Sequence, residues 1–182
     1  MCPWWLGYLL ACPLRRLVQN PERLLAPHLR PGMTVLDIGP GMGFFTLPAA
    51  RLVGERGRVV AVDLQPRMIT SLTRRAQHAG LADRVDARIC APGDLGVSDL
   101  AGQVDLALAL AMLHEVPDPD RLLAEVGRVL KPAGRLVLAE PRGHVSDGDF
   151  ETALDCARRA GLDLVDRPRV PLSHAAVLQR PA

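Results

Sequence analysis

The chain has 182 residues and a formal net charge of +2 at pH 7, a length typical of a single domain. Its 22 Lys and Arg are interspersed with 20 Asp and Glu, so it has no basic stripe that could follow a phosphate backbone, and nucleic acid is not an expected partner. The four cysteines show neither zinc-site spacing nor the density of a disulfide scaffold, which indicates a cytoplasmic protein. No run reaches the ~18 apolar residues of a membrane span, so no integral membrane segment is expected.

Strand-like and helix-like segments alternate after an N-terminal arm of about 30 residues, a pattern typical of a parallel sheet covered by helices on both faces. Pro48 falls inside the first predicted helix, where it must lie in the first turn or kink the helix. Basic pairs such as Arg74 and Arg75 are predicted to lie on solvated helix faces. The strands are predicted at residues 34–38, 58–63, 85–90, 104–110, 135–139, 162–169 and 175–180, and the helices at 44–53, 66–79, 118–130 and 147–160.

Only five residues, 170–174, join the last two predicted strands, which is too few for a parallel crossover, so these strands are predicted to form an antiparallel hairpin. The sequence therefore predicts an α/β protein with a seven-stranded, mostly parallel sheet that ends in an antiparallel C-terminal hairpin. Residues 1–30 are interpreted as an arm or lid of helices, and residues 31–182 as the single catalytic domain.

Residues 35–43 read Val-Leu-Asp-Ile-Gly-Pro-Gly-Met-Gly and are the strongest functional signal in the chain. An apolar strand runs directly into Gly39, Gly41 and Gly43, which can take positive φ and let the backbone approach a ligand closely. The next predicted strand ends at Asp63, about 20 residues after Gly43, which is the separation expected for a carboxylate that binds a ribose. This pair of features predicts a nucleotide-containing cofactor.

These residues resemble the first motifs of the class I S-adenosylmethionine-dependent methyltransferases, and the similarity continues along residues 31–180. The stretch 130–136, Leu-Lys-Pro-Ala-Gly-Arg-Leu, is similar to the family's Leu-Lys-Pro-Gly-Gly turn, with Ala133 in place of one glycine. Residues 113–118, Leu-His-Glu-Val-Pro-Asp, are similar to the segment after the family's fourth strand. The resemblance implies a Rossmann-like, doubly wound fold and a methyltransferase with S-adenosyl-L-methionine as its cofactor.

Carried over by position, the resemblance also implies which residues bind the cofactor. Two roles are open for Asp37: its carboxylate organises the glycine turn, or it touches the cofactor. Two roles are also open for Asp94, which could contact the adenine or cap its own loop. The implied cofactor residues are Asp37 and the three glycines Gly39, Gly41 and Gly43 for the methionine part, Asp63 and Leu64 for the ribose, Cys90 and Ala91 for the adenine, and Leu110 at the end of the fourth strand.

Residues 110–116 should face the transferring methyl group, because ligands bind at the carboxyl ends of parallel strands. His114 is the candidate general base there, with loop ordering as its alternative role. Glu115 is the second candidate catalytic residue, either as a cap or as a group that orients the substrate, while Met112 and Glu140 are predicted to line the substrate pocket. No metal site is predicted, since Asp118 and Asp120 are better placed to begin a helix.

The first eight residues contain both tryptophans and the only tyrosine of the chain, Trp4, Trp5 and Tyr8. We interpret them as part of a lid that completes the substrate pocket. A contact in a homodimer and a membrane-interface anchor remain the alternatives.

The sequence therefore predicts a methyltransferase that acts on a small-molecule acceptor by in-line displacement, without fixing whether O, N, S, C or a metalloid is methylated. A nicotinamide-dependent oxidoreductase with a Rossmann fold and a catalytically inactive cofactor-binding protein are the two competing interpretations.

Overall fold

The computed structural model describes residues 20–182, and the predictions for Trp4, Trp5 and Tyr8 lie outside this part of the chain. The chain forms two compact units, divided between Cys90 and Ala91. Within residues 20–182, no helix combines the length and the apolar character needed to cross a membrane. The predicted boundary near residue 30 between arm and catalytic domain stays a prediction.

The first unit consists of three parallel strands with their connecting helices. Strands β1 and β2 are buried along almost their whole length, as expected for strands covered on both faces, whereas β3 is only partly buried. In the register, Thr34 of β1 lies opposite Arg58 of β2, and Val59 of β2 lies opposite Val85 of β3. Its elements are α1 (Pro21–Leu25), β1 (Thr34–Ile38), α2 (Thr46–Val53), β2 (Arg58–Asp63), α3 (Pro66–His78), a 3₁₀ turn (Ala82–Arg84) and β3 (Val85–Ile89).

The second unit begins with a parallel strand pair and ends with antiparallel strands. Strand β5 pairs in parallel with β4 and antiparallel with β7, and β7 pairs antiparallel with β6. The predicted C-terminal hairpin is therefore confirmed. The elements are the 3₁₀ turn Ser98–Leu100, β4 (Val104–Leu110), the 3₁₀ turn Leu113–Glu115, α4 (Pro119–Val129), β5 (Leu130–Pro141), α5 (Asp147–Arg159), β6 (Asp163–Asp166) and β7 (Ser173–Gln179).

The seven strands follow the order β3-β2-β1-β4-β5-β7-β6, which confirms the predicted Rossmann-like α/β class with a mostly parallel sheet. Pro48 is the third residue of α2 and so lies in its first turn, where its missing N–H removes no intrahelical bond. Strand β5 starts five residues before the predicted 135, at Leu130, and its register with β4 shifts between Val104 and Leu106. Ala133 takes a φ of +60° there, a conformation that glycine would adopt at no steric cost.

Candidate functional site

The three glycines after β1 all have positive φ, and their surroundings differ. At Gly43 (φ +85°) a Cβ atom would lie 2.4 Å from Cδ1 of Leu72 on α3, so any larger residue would force the Leu72 side chain to move. At Gly41 (φ +54°) no atom of residues 20–182 lies within 4 Å of the position that a Cβ would take. Gly39 (φ +66°) donates its N–H to the Val62 carbonyl of β2 at 2.9 Å. Of Gly41 and Gly43, Gly41 is therefore the one with space beside its Cα for a ligand.

Asp63 ends β2 and connects its carboxylate to the glycine turn. Its Oδ2 accepts a hydrogen bond from the Gly41 N–H at 3.3 Å, and its Oδ1 accepts one from the Gln65 N–H at 2.8 Å. The residue is partly exposed, and each carboxylate oxygen has a second lone pair. Asp63 can therefore hold the turn in place and still accept hydrogen bonds from ribose hydroxyls.

Asp37 is buried in β1 and bonded to a side chain that sequence reasoning missed. It is 2% exposed and accepts a hydrogen bond from the Thr46 hydroxyl at 2.6 Å, so it links β1 to the first residue of α2. Burial raises the pKa of Asp37 from 3.8 to about 6, with repulsion from Asp63 acting in the same direction and the Thr46 bond opposing them. The residue holds the start of the helix rather than the backbone amides of the turn.

Arg75 on α3 holds the glycine turn from another side. Its Nη1 donates to the Met42 carbonyl at 2.6 Å, across 33 residues of sequence. The prediction that Arg74 and Arg75 both lie on a solvated face is therefore wrong for Arg75, which is partly buried, while Arg74 is exposed. The helical periodicity of α3 could have distinguished the two arginines, because Leu72 and Ala76 define the buried side of the helix.

The carboxyl ends of β2 and β3 expose apolar side chains beside these polar groups. Leu64 is 40% exposed and Ile89 is 58% exposed, while Cys90 is partly exposed and donates its N–H to the Asp63 carbonyl at 3.1 Å. Ile89 was missed by sequence reasoning, although it ends a strand that was predicted. An open glycine backbone, a carboxylate and apolar surface together fit a nucleoside with an attached polar chain.

In the second unit, hydrogen bonds within the loop after β3 hold that loop together. Ala91 and Asp94 exchange backbone hydrogen bonds of 3.2 and 3.1 Å, and Oδ1 of Asp94 accepts from the Gly96 N–H at 2.8 Å. Asp94 thus caps its own loop, and its contact with the adenine stays a prediction. The loop is also tied to α4, where Oε2 of Glu125 accepts from the Leu95 N–H at 2.9 Å.

The backbone after β4 forms a small concave arrangement of N–H groups. Leu110 ends the strand, and Ala111 takes a φ of +59°, which is uncommon for a residue other than glycine. The next two N–H groups, of Met112 and Leu113, both point at Oε1 of Glu140, at 3.2 and 2.7 Å. Successive N–H groups in such a turn form a natural site for an anion, and here a carboxylate of the protein fills it.

Glu140 was predicted to line the substrate pocket, but its side chain is committed to this turn. It is 1% exposed and receives both backbone bonds on Oε1, while Oε2 faces Nδ1 of His114. A buried carboxylate with three donors around it is a satisfied group. The sequence did carry a signal for this role, a Glu at the end of an apolar strand, because a buried charge needs hydrogen-bond partners.

His114 presents one ring nitrogen to Glu140 and leaves the other open. Beside a Glu140 carboxylate, which can only accept, a neutral His114 imidazole carries its hydrogen on Nδ1 and keeps a lone pair on Nε2. The side chain is 25% exposed, and Nε2 has no hydrogen-bond partner among residues 20–182. Glu115 is exposed at the end of the 3₁₀ turn, and its catalytic role stays a prediction. The arrangement gives a proton acceptor supported by a buried negative charge.

The part of the chain that the structure describes contains no group of three or more His, Cys, Asp or Glu that could hold a metal ion. Asp118, which was expected to begin a helix, is the N-cap of α4 and accepts from the Arg121 N–H at 3.0 Å. Asp120 is paired with Arg159 through two bonds of 2.9 Å. Both carboxylates therefore have structural partners.

A protein-family model described as "Methyltransferase domain" matches residues 29–166. A crystal structure of a SAM dependent methyltransferase from Aquifex aeolicus is similar to this chain, with a TM-score of 0.87 and 25% identity, over 98% of this chain and 99% of that one. The residues that the structure describes thus share their fold with that protein.

Two curated relatives are also similar. An arsenite methyltransferase from Halobacterium salinarum is 35% identical over 66% of this chain and 30% of its own length. A ubiquinone/menaquinone biosynthesis C-methyltransferase from Hydrogenovibrio crunogenus is 36% identical over 62% of this chain and 43% of its own length. The chain thus spans less than half the length of either relative.

Proposed function

Since this chain belongs to the class I S-adenosylmethionine-dependent methyltransferases and its cofactor is S-adenosylmethionine, we propose that it methylates a small-molecule acceptor whose reacting atom loses a proton. The observation that carries this proposal is the pairing of His114 with the buried Glu140 beside the carboxyl end of β4. An imidazole with a carboxylate at Nδ1 is suited to take a proton at Nε2.

The cofactor, when bound, supplies a methyl group on a sulfonium, which is an already activated carbon. Alignment of the acceptor and exclusion of water can then provide most of the acceleration, and a base is needed only if the acceptor starts protonated. We assign that step to His114: its Nε2 takes the proton of an O–H or an acidic C–H, and the carboxylate of Glu140 stabilises the imidazolium that forms.

We propose that the first unit binds the cofactor through the residues described above. Gly41 presents open backbone, Asp63 accepts from the ribose hydroxyls, and Leu64 and Ile89 provide apolar surface for the adenine. Asp37 acts indirectly, by fixing the start of α2 through Thr46. In this proposal the glycine turn and Asp63 have the roles that the family resemblance implies for them, whereas Leu64 is assigned to the adenine instead of the ribose.

The names of the two curated relatives bear on the acceptor. The C-methyltransferase methylates a carbon atom, and such an acceptor must lose a proton, which is the step proposed for His114. Arsenite, the acceptor in the other relative's name, instead presents a lone pair on arsenic. The proposal therefore places the acceptor of this chain with compounds that react at oxygen or carbon. A nicotinamide-dependent reaction is set aside because the chain belongs to a methyltransferase family.

The test is detection of S-adenosylhomocysteine and of methylated product after incubation with phenols, enolisable carbon acids, amines, thiols and arsenite. We expect turnover with phenols or carbon acids, and His114→Ala should lower it by about 10²-fold or more with cofactor affinity nearly unchanged. Turnover with arsenite or thiols that changes less than threefold in His114→Ala would contradict the proposed base. A protein that binds the cofactor but methylates nothing would favour the catalytically inactive interpretation.

We further propose that residues 1–12, which carry Trp4, Trp5 and Tyr8, close over the bound cofactor and complete the acceptor pocket. Deleting them should lower turnover more than cofactor affinity. Tryptophan fluorescence of the full chain should change when the cofactor or the acceptor is added. Fluorescence that responds only to protein concentration would instead indicate a contact between two copies of the chain.

A further inference from the structure

His144 lies in the turn after β5, and its imidazole stacks on that of His114. The two ring centroids are 5.8 Å apart and the ring planes differ by 11°. This separation is within the ~4.5–7 Å range of interacting aromatic pairs. The ring of His114 therefore has two neighbours from the same end of β5, Glu140 at its Nδ1 edge and His144 at its face.

The position of His144 is set by main-chain hydrogen bonds and does not depend on its own side chain. The N–H groups of His144 and Val145 both donate to the Pro141 carbonyl at 3.0 Å. The Val145 carbonyl in turn faces Nε2 of His174, on β7, at 3.1 Å. Replacing the His144 side chain leaves all of these contacts in place.

The hydrogen bond at Nδ1 restrains the plane of the His114 ring, because Nδ1 lies off the Cβ–Cγ axis about which χ2 turns. One hydrogen bond tolerates some bending and the χ2 torsion of histidine is broad, so the ring can still swing through a limited angle while Nδ1 stays near Oε2 of Glu140. The Nε2 lone pair lies in the plane of the ring, and such a swing changes its direction. A flat neighbour on the face of the ring opposes this rotation.

We propose that His144 is a positioning residue for methyl transfer: it holds the plane of the His114 imidazole, so that the Nε2 lone pair keeps one direction. The proposal rests on the proposed function, in which His114 takes the acceptor's proton. In this role His144 acts through the flat face of its ring and not through its nitrogen atoms. Phenylalanine at this position should therefore preserve turnover, and alanine should not.

The experiment compares His144→Ala, His144→Phe and His114→Ala with wild type, with His78→Ala as a control at an exposed histidine on α3. We expect His144→Ala to lower kcat about tenfold without changing the KM for the cofactor, and His144→Phe to stay within threefold of wild type. A second readout needs no acceptor: the Nδ1–H resonance of His114 should exchange with water faster in His144→Ala and should be protected again in His144→Phe.

Two results would overturn the proposal and leave the function intact. One is a His144→Ala protein with normal kcat and a protected Nδ1–H resonance, while His114→Ala is impaired. The other is a His144→Phe protein as impaired as His144→Ala with a raised KM for the acceptor, which would mean that His144 bonds the acceptor through its nitrogen atoms. If no acceptor is methylated, the resonance alone decides: unchanged exchange in His144→Ala overturns the positioning role.

Discussion

Glu140 on β5 holds Nδ1 of His114, which precedes it by 26 residues in the turn after β4. The same carboxylate accepts the N–H groups of Met112 and Leu113, so one buried side chain fixes both the backbone of this turn and the direction of its imidazole. The turn and its base are therefore set as one unit by the neighbouring strand. Changing the hydrogen-bonding character of Glu140 should disturb the base without necessarily disturbing the turn.

Glu140→Gln is the sharpest such change, because it keeps the shape of the side chain. The amide oxygen can still accept from the two backbone N–H groups, but the amide nitrogen would donate to Nδ1 and force the hydrogen of His114 onto Nε2. We expect turnover to fall by about 10²-fold or more with nearly normal cofactor affinity and melting temperature. Steady-state kinetics, calorimetric titration and thermal unfolding measure these three quantities. Wild-type turnover in a folded Glu140→Gln protein would contradict a base that acts through Nε2.

The two glycines of the turn should respond differently to the same substitution. Gly43→Ala places a Cβ against the fully buried Leu72 and also carries the cost of its positive φ, so we expect its unfolding free energy to fall by about 2–5 kcal/mol. The Cβ of Gly41→Ala meets no neighbour within residues 20–182, so we expect only the cost of its positive φ, about 1–2 kcal/mol. We expect this protein to fold but to bind S-adenosylmethionine at least about tenfold more weakly, because the new Cβ takes the space beside the backbone in which we propose that the cofactor binds. Urea unfolding and titration separate the two effects, and normal binding by Gly41→Ala would remove that residue from the site.

The sequence predicted most of the fold because the signals that define it are local. Apolar runs, glycine turns and the short link at residues 170–174 fixed the seven strands and the C-terminal hairpin. Element ends were less predictable where tertiary contacts extend a strand, as at Leu130, or leave it short, as at Asp166. Pro168, which lacks an N–H to donate, follows the end of β6 and offers one reason for its early end.

The partners of the candidate residues were not predictable in the same way. Asp37, Asp63 and His114 could be chosen from their positions, but Thr46, Arg75 and His144 act across 9 to 33 residues of sequence or by stacking of rings. Such pairings depend on how helices and strand ends meet, which no periodicity in the sequence encodes. Glu140 shows this most clearly, because it was chosen as a pocket residue and proved to be a support for His114.

Arg75 should contribute to cofactor binding without touching the cofactor. Its guanidinium donates to the Met42 carbonyl between Gly41 and Gly43, so Arg75→Met should release this part of the turn. We expect the unfolding free energy to fall by about 1–3 kcal/mol, the range for loss of a charged hydrogen bond, and cofactor affinity to fall with it. Arg74→Met on the exposed side of α3 is the matched control and should change neither quantity. Equal effects in the two variants would indicate a general charge effect and not a specific contact.

Asp37 should make the stability of the cofactor-free protein depend on pH. Because its folded pKa is raised from 3.8 to about 6, the protonated form is favoured in the folded state. The stabilisation it provides is fully present below the unfolded pKa and is lost as the pH rises from about 4 to about 6, by an amount on the order of 3 kcal/mol.

Asp37→Asn keeps the size of this side chain and removes its titration. Relative to wild type, we expect the unfolding free energy of the variant to rise between pH 4 and pH 6 and to level off above that range, because only the wild type must then bury a charge. Urea unfolding at half-unit pH intervals measures this difference, with Asp83→Asn at an exposed position as the control for loss of one carboxylate. A difference between Asp37→Asn and wild type that stays constant from pH 4 to pH 7 would show that burial does not shift the titration of Asp37. The Thr46 hydroxyl would then be bonded to a carboxylate that is already charged at the lower end of this range.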